Sequence, residues 1–291
     1  MSTSPTNQTD TSPCANQQSQ PPTTVLVDTS LLIEQLKREP SARPVREALA
    51  PFLFKGASSY SKLEFKRAWL QRLAYIHDVC SKPDVTCVVD VMAWVNQKLG
   101  AQPKRRGGLQ TCFDMLIRFL DLDSGAINKR AQLARLRSHC KRSVLDGTAA
   151  LLQLITAEFK GTRCVRAEEP ARENPDGSLN VTVPKCRPQN AKCAIVEFFV
   201  SNKPAFSSLA NHVDTLPDAS KEMKNMQEHI RLALADPRHL CQAGNCARLA
   251  DAIIALDGKQ MAVFAANNDT EWVHISNVLQ KPLLNPLRHN P

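Results

Sequence analysis

The chain has 291 residues, and 43% of them are hydrophobic, so it can bury a full core as one large domain or two small ones. Lys and Arg outnumber Asp and Glu by 37 to 28, and the resulting net charge of +9 suits a polyanionic partner without requiring one. The sequence holds no run of 18 apolar residues, so we expect no membrane span.

The first 23 residues are predicted to be a disordered polar tail. They consist mostly of Ser, Thr, Pro, Asn and Gln, which cannot offset the entropy lost on ordering. They also lack the basic and apolar regions of a secretory signal. We therefore expect a cytoplasmic protein whose ten cysteines are thiols or metal ligands rather than disulfides. Residues 24–291 are predicted to form a single domain.

A short β-branched run ends on an acid near the start of the chain. Residues 24–28 read TVLVD, and the helical pattern TSLLIEQLKRE follows directly. Open α/β sheets bind their ligands where a buried strand ends and the next helix begins. Asp28 therefore occupies a candidate ligand position.

Glu64 is a second acid in a candidate ligand position. An apolar piece, 51–60, contains Ser58 and Ser59 as candidate helix caps and leads into the helical pattern SKLEFKRAWLQRLAYIHDV. Glu64 falls in the first turns of that helix, near the same edge of the predicted sheet. Taken alone, an acid at a helix N-terminus is also a common stabilising feature.

The segment 245–272 places carboxylates within strongly apolar structure. A buried helix of about 12 residues is predicted between Asn245 as N-cap and Gly258 as stop, with Asp251 near its second turn. A lone buried carboxylate is costly unless a cation, a metal or hydrogen-bond donors surround it, although it can also cap a neighbouring loop. A buried strand follows at 261–266, and Asp269 lies just after it. If the strands are parallel, all four acids meet at one edge.

Four stretches of the chain resemble the PIN-domain nucleases: VLVDTSLLIE, SSYSKLEF, LADAIIAL and NNDTEW. The resemblance covers about 25–66 and 245–278. It implies an α/β fold with a doubly wound parallel sheet, and it implies that Asp28, Glu64, Asp251 and Asp269 are catalytic and bind Mg²⁺ or Mn²⁺. The family commonly has Thr or Ser where this chain has Asn267.

The region 68–160 is longer than a minimal core of that family needs, and its patterns predict an all-helical insertion. Arg135, Arg137, Lys141 and Arg142 are predicted to contact nucleic acid, within a larger basic set that also comprises Lys104, Arg105, Arg106, Arg118, Lys129 and Arg130. The alternative is an ordinary solvated helix face.

A second insertion, 161–240, is predicted to contain strands within RCVRAEEPA (163–171) and SLNVTVP (178–184), which form a hairpin or long loop around the NPDG turn. An amphipathic helix is predicted within KEMKNMQEHIRLALADP. Four cysteines are predicted to bind one structural Zn²⁺, with Cys241 as the substitute for any of them: Cys164, Cys186, Cys193 and Cys246. Their spacing is looser than that of common zinc ribbons, and ordinary buried or free thiols are the alternative.

These observations favour a metal-dependent nuclease, and the resemblance favours RNA as its substrate. A dehalogenase-like phosphatase is disfavoured because Ser30 stands where its second Asp is needed, and the sequence has no Gly-rich phosphate loop and no G-x-S-x-G motif. The alternative function is a catalytically weak PIN-like module that binds RNA or a protein through the basic region. A neutralising protein partner and a homo-oligomer both stay open.

Overall fold

The protein is an α/β structure built on a five-stranded, all-parallel sheet. The computed structural model describes residues 23–37, 39–100, 106–123, 128–183, 193–242, 244–267 and 269–287. The predicted disordered tail therefore lies outside the described residues, apart from Thr23.

The sheet has the strand order β3-β2-β1-β6-β7. Its strands are β1 (Thr24–Val27), β2 (Phe54–Ser58), β3 (Ala157–Phe159), β6 (Val263–Ala265) and β7 (Leu283–Leu284). The chain first builds the sheet outward from β1 in one direction and later returns to add β6 and β7 on the other side. A crevice opens at such a switch point, outside the carboxyl ends of β1 and β6, and it is where open α/β sheets bind ligands.

Fourteen α-helices lie in the described part of the chain. They are α1 (Thr29–Gln35), α2 (Glu39–Leu49), α3 (Tyr60–Phe65), α4 (Gln71–Cys80), α5 (Val88–Gly100), α6 (Arg106–Leu122), α7 (Lys129–Leu145), α8 (Ala149–Leu152), α9 (Val165–Glu168), α10 (Ala194–Ser201), α11 (Lys203–Asp214), α12 (Lys221–Ala235), α13 (Ala250–Asp257) and α14 (Asp269–Val278). A π-helical segment, Lys66–Leu70, joins α3 to α4, and 3₁₀ segments cover Pro237–Cys241 and Asn245–Leu249. None of the described helices is long and apolar enough to cross a membrane.

Helices cover both faces of the sheet because the strand side chains alternate. Val25 and Val27 join a core with residues of α1, α2 and α4 to α7. Leu26 points to the opposite core, which contains residues of α3 and α10 to α14. All three side chains are fully buried, as expected for a central parallel strand.

Several local predictions are confirmed. The strand that begins at Thr24 ends at Val27, immediately before Asp28. The predicted hairpin is present as two short antiparallel strands, β4 (Arg172–Glu173) and β5 (Leu179–Asn180), on either side of the NPDG turn. The first strand was predicted within 163–171, which is wrong, because Val165–Glu168 forms helix α9. The amphipathic helix is α12, which Ser220 caps by accepting a hydrogen bond from the Met223 amide.

The prediction that 68–160 is entirely helical is wrong at its C-terminal end. Helices continue to Leu152, but Ala157–Phe159 is strand β3, an edge strand of the central sheet. Three residues are too few to show a strand pattern, and the pairing partner Gly56–Ser58 lies 101 residues earlier. This segment is a strand because it pairs with β2 in the sheet.

Candidate metal centre

Asp28 uses its two carboxylate oxygens differently. It is the N-cap of α1, where Oδ2 accepts hydrogen bonds from the Ser30 amide at 3.0 Å and from the Ser30 hydroxyl. Its Oδ1 is buried and has no hydrogen-bond partner within the described residues. Burial raises the pKa of Asp28, and the Ser30 bonds oppose that rise. One oxygen therefore stabilises the helix, and the other makes no hydrogen bond within the described residues.

Glu64 is held beside Asp28 by Thr29, the first residue of α1. The Thr29 hydroxyl donates a 2.6 Å hydrogen bond to Glu64 Oε2. Burial raises the pKa of Glu64 to about 7, and the negative charge of Asp28 adds to the effect, while the Thr29 bond and Arg67 act in the opposite direction. The helix that carries Glu64 continues directly into the π-helical segment, a feature frequently found at functional sites.

The predicted caps of the Glu64 helix differ from the observed ones. Ser59 stands at the N-cap of α3 but makes no capping hydrogen bond, and its hydroxyl instead lies 3.2 Å from that of Thr162. Ser58, the last residue of β2, accepts the bond from the Tyr60 amide at 3.1 Å. The turn into the helix is therefore stabilised one residue earlier than the N-cap position.

Asp251 was predicted to lie near the second turn of its helix, but it lies in the first turn. Asn245 is not an N-cap, because 245–249 form a 3₁₀ segment and the Asn245 side chain donates to the His239 carbonyl at 3.0 Å. The α-helix runs from Ala250 to Asp257, 8 residues rather than the predicted length of about 12, and Gly258 is its C-cap, as predicted. Burial raises the pKa of Asp251 well above its ordinary value, and the negative charges of Asp28 and Glu64 raise it further.

The structure adds an acid that sequence reasoning missed. Glu271, in the first turn of α14, forms a side-chain hydrogen bond with Asp251, and its charge raises the pKa of Asp28, Glu64 and Asp251. Asp269 is the first residue of α14, and its side chain lies outside what the structure describes. The sequence contained one signal for Glu271. A helix that begins at Asp269 places Glu271 in the same first turn, close to the predicted ligand position.

Asp28, Glu64, Asp251 and Glu271 thus form an acidic cluster drawn from four elements around the crevice. Their oxygens are the hard ligands that Mg²⁺ and Mn²⁺ prefer, and the bare Oδ1 of Asp28 and the mutual repulsion both favour a cation. The donor chemistry therefore fits such an ion. Within the described ranges, however, no three His, Cys, Asp or Glu side chains are positioned to hold one metal together.

Asp257, at the other end of α13, shows what a structural carboxylate looks like here. Its Oδ2 accepts hydrogen bonds from the hydroxyls of Ser58 at 2.7 Å and Thr162 at 2.8 Å. Burial raises its pKa, but these hydroxyls and the Gly161 amide oppose the rise. The acid whose charge raises its pKa further is Glu158, which is not part of the cluster.

The predicted zinc ligands are largely buried thiols. Cys164, Cys241 and Cys246 are buried, Cys193 is half-buried, and none of the four forms a disulfide within the described residues. The Tyr60 hydroxyl donates a 3.6 Å hydrogen bond to Cys246 Sγ. Cys186 lies outside the described residues, and the described cysteines take part in no metal-binding group there. Zinc binding stays a prediction.

The predicted nucleic-acid residues divide between two sides of α7. Arg137 and Lys141 line a groove of about 430 Å³ together with Arg130, which was not among the four. Lys141 also pairs with Glu173 at 2.7 Å. Arg135 lies outside this groove and pairs with Asp123 at 2.9 Å, and Arg142 lies outside it as well. Glu173 also lines the groove, so Arg130 and Arg137 are the cations there that are left for an anion.

Comparison of the chain with protein-family models, with curated proteins and with solved structures found no match.

Proposed function

We propose that the protein is a divalent-metal-dependent, PIN-like nuclease that hydrolyses RNA at the acidic cluster. The observation that carries this proposal is the convergence of Asp28, Glu64, Asp251 and Glu271 at the switch point of a parallel sheet, with one buried oxygen of Asp28 unpartnered in the described structure. Assembling four like charges costs stability, so a fold keeps such a cluster where function needs it.

The residues of the cluster have distinct roles in this proposal. Asp28 and Asp251 are the principal metal ligands, Glu271 assists Asp251, and Glu64 orients the attacking water, held by the Thr29 hydroxyl at 2.6 Å. Asp269 stays a predicted ligand on the resemblance alone. A bound Mg²⁺ or Mn²⁺ supplies charge neutralisation at the phosphate and a more acidic water.

Asp28→Asn tests the proposal. The neutral amide is a much weaker ligand than the carboxylate, so Mn²⁺-dependent cleavage of labelled single-stranded RNA should fall by about 100-fold or more, beyond the 10–100-fold typical of residues behind the ligands. The melting temperature should stay unchanged or rise because repulsion within the cluster is relieved. Together these two results separate a functional acid from a structural one.

Asp218→Asn is the matched control, because Asp218 is exposed and remote from the cluster in sequence. It should cleave as the wild type does, and chelator should abolish cleavage in both proteins. An Asp28→Asn protein that retains wild-type activity would show that the acidic cluster is not the active site.

A second candidate function is RNA binding without efficient cleavage, which the groove beside α7 favours. Arg130, Arg137 and Lys141 line it, and the acidic cluster is not part of its lining. Wild-type protein that binds RNA but does not cleave it with Mg²⁺ or Mn²⁺ would select this function. A cytoplasmic location, a neutralising protein partner and a homo-oligomer stay predictions under either function.

A further inference from the structure

A cavity of about 170 Å³ lies among the helices on the Val25 side of the sheet. The π-helical segment, α4, α6 and α7 enclose it, with Phe65, Trp69, Leu73, Met115 and Phe119 among its apolar lining residues. An enclosed apolar cavity of about 150 Å³ is large enough to hold one benzene ring. The volume therefore sets the size of an occupant at one small ring or a short alkyl chain.

Two polar side chains, Arg118 and His139, also line this cavity. Arg118 is half-buried, and in the described part of the chain no carboxylate lies within ion-pair distance of its guanidinium. Burial lowers the pKa of Arg118, and the nearby positive charge of Arg46 lowers it further. Arg46 itself forms an ion pair with Glu39 at 2.6 Å. Arg118 is therefore a partly desolvated cation with no ion-pair partner among the described residues, and the more distant charge of Glu39 raises its pKa.

The surroundings of His139 reinforce the positive character of the cavity. Its ring packs against Phe119 with centroids 5.9 Å apart. Burial lowers the pKa of His139, and the positive charges of Arg142 and Arg118 act in the same direction. His139 is consequently neutral at pH 7 and leaves Arg118 as the cation that faces the cavity. An anion placed there would gain chiefly from Arg118, because Arg46 is already paired with Glu39 and Arg142 does not line the cavity.

We propose that this cavity binds a small monocarboxylate, with one aromatic ring or short alkyl chain in the apolar volume and the carboxylate on Arg118. Ligand sites are typically apolar with a few placed polar groups, which is the composition seen here. The planar guanidinium suits a carboxylate because it donates two parallel hydrogen bonds. This site is separate from the acidic cluster and does not depend on the proposed nuclease activity.

Titration calorimetry with phenylacetate and the uncharged 2-phenylethanol tests the proposal. Wild-type protein should bind phenylacetate more tightly than 2-phenylethanol. Arg118→Met should weaken phenylacetate binding by about 10-fold or more, because the charge-assisted bonds are lost, while binding of 2-phenylethanol should be unchanged. Arg135→Met is the matched control, because Arg135 does not line the cavity and pairs with Asp123.

A cavity-filling variant checks the location. Ser143 lines the cavity, so Ser143→Leu should weaken the binding of both compounds, with a melting curve confirming that each variant is folded. If Arg118→Met is unfolded, Arg118→Lys should still show weaker phenylacetate binding, because the second parallel bond is lost. The proposal is overturned if folded wild-type protein shows no saturable phenylacetate binding, if Arg118→Met binds it equally, or if uridine monophosphate binds there more tightly than phenylacetate.

Discussion

At the scale of single residues, Thr29 connects Asp28 and Glu64, two acids of the cluster. Its side chain is buried, and its hydroxyl donates to Glu64 from the residue directly after Asp28. The bond orients Glu64 and opposes the rise in its pKa. Thr29 is therefore a positioning residue, because its role operates through Glu64.

Thr29→Val removes this hydroxyl and preserves the shape of the side chain. We expect RNA cleavage to fall by about 10–100-fold, the usual effect of losing a residue that orients a ligand. Single-turnover rates with saturating Mn²⁺ would measure it. Thr29→Ser retains the hydroxyl and should recover most of the rate, whereas equal rates in Thr29→Val and wild type would contradict the assigned role.

At the scale of elements, the position of α13 depends on a close approach to β1. A Cβ atom on Gly258, the C-cap of α13, would lie 2.4 Å from Leu26 Cδ1. Leu26 is fully buried in the central strand and cannot move away without disturbing the core. Glycine at this position therefore lets the Asp251 helix lie against the strand that leads to Asp28.

Gly258→Ala should lower the free energy of unfolding by about 1–3 kcal/mol, the usual cost of overpacking a core. Urea denaturation would measure the change. Gly107→Ala is the control, because Gly107 lies in helix α6 and a Cβ atom there meets nothing within 4 Å. That variant should be unchanged or more stable, since Ala is the better helix former. Equal stability of Gly258→Ala and wild type would show that the packing of α13 against β1 can adjust to a larger side chain at no cost.

Two histidine pairs hold the helices that flank the acidic cluster. His212 Nε2 of α11 lies 3.3 Å from His274 Nδ1 of α14, and His229 Nδ1 of α12 lies 2.8 Å from His239 Nε2. Burial lowers the pKa of His274 and of His229, and the partner histidine adds to each shift. Glu228 and Arg248 also act on His229, in opposite directions. The pairs favour neutral imidazoles.

The stabilisation from these pairs should depend on pH. Because the folded pKa values are lowered, the unfolded chain binds protons more readily, so the contribution is complete above about pH 6.5 and is lost as pH falls below it. The raised pKa values of the acidic cluster act the other way, so the comparison must be with a variant. The melting temperature of wild type minus that of His229→Gln/His274→Gln should be positive at pH 7.5 and smaller at pH 5.5. A difference independent of pH would refute this prediction.

At the scale of the whole molecule, the net charge of +9 coexists with a strongly acidic crevice. The groove beside α7 provides a separate cationic surface, where a polyanion can bind without facing the acidic cluster. Favourable contacts there would offset the repulsion between RNA phosphates and the carboxylates. Binding and cleavage should therefore be separable by mutation.

Arg130→Ala/Arg137→Ala should weaken RNA binding and reduce its dependence on salt. Loss of two phosphate contacts lowers the log–log salt slope by about 1.4, from about 0.7 per contact on a single strand. Fluorescence anisotropy at several salt concentrations measures both effects. Arg135→Ala/Arg142→Ala should change little, because both residues lie outside the groove. Equal losses in the two variants would indicate a diffuse charge effect.

The sequence by itself determined features that short-range patterns encode. The β-branched run before Asp28, the turn and second strand of the hairpin, the amphipathic helix α12 and the apolar helix that carries Asp251 all follow from periodicity and turn residues over a few positions. These features depend on neighbours in the chain, and local physics is sufficient for them.

Only the tertiary structure decided the features that depend on distant neighbours. Strand β3 forms because β2 offers a partner 101 residues away. Glu271 joins the cluster because α14 begins beside α13, and Arg130 replaces Arg135 at the groove because packing of α7 against α4 fixes which side of α7 faces solvent there. The unpartnered oxygen of Asp28 is decided in the same way. Sequence patterns specify which residues an element presents, but the packing of elements selects their partners, because side-chain contacts form between segments far apart in the chain.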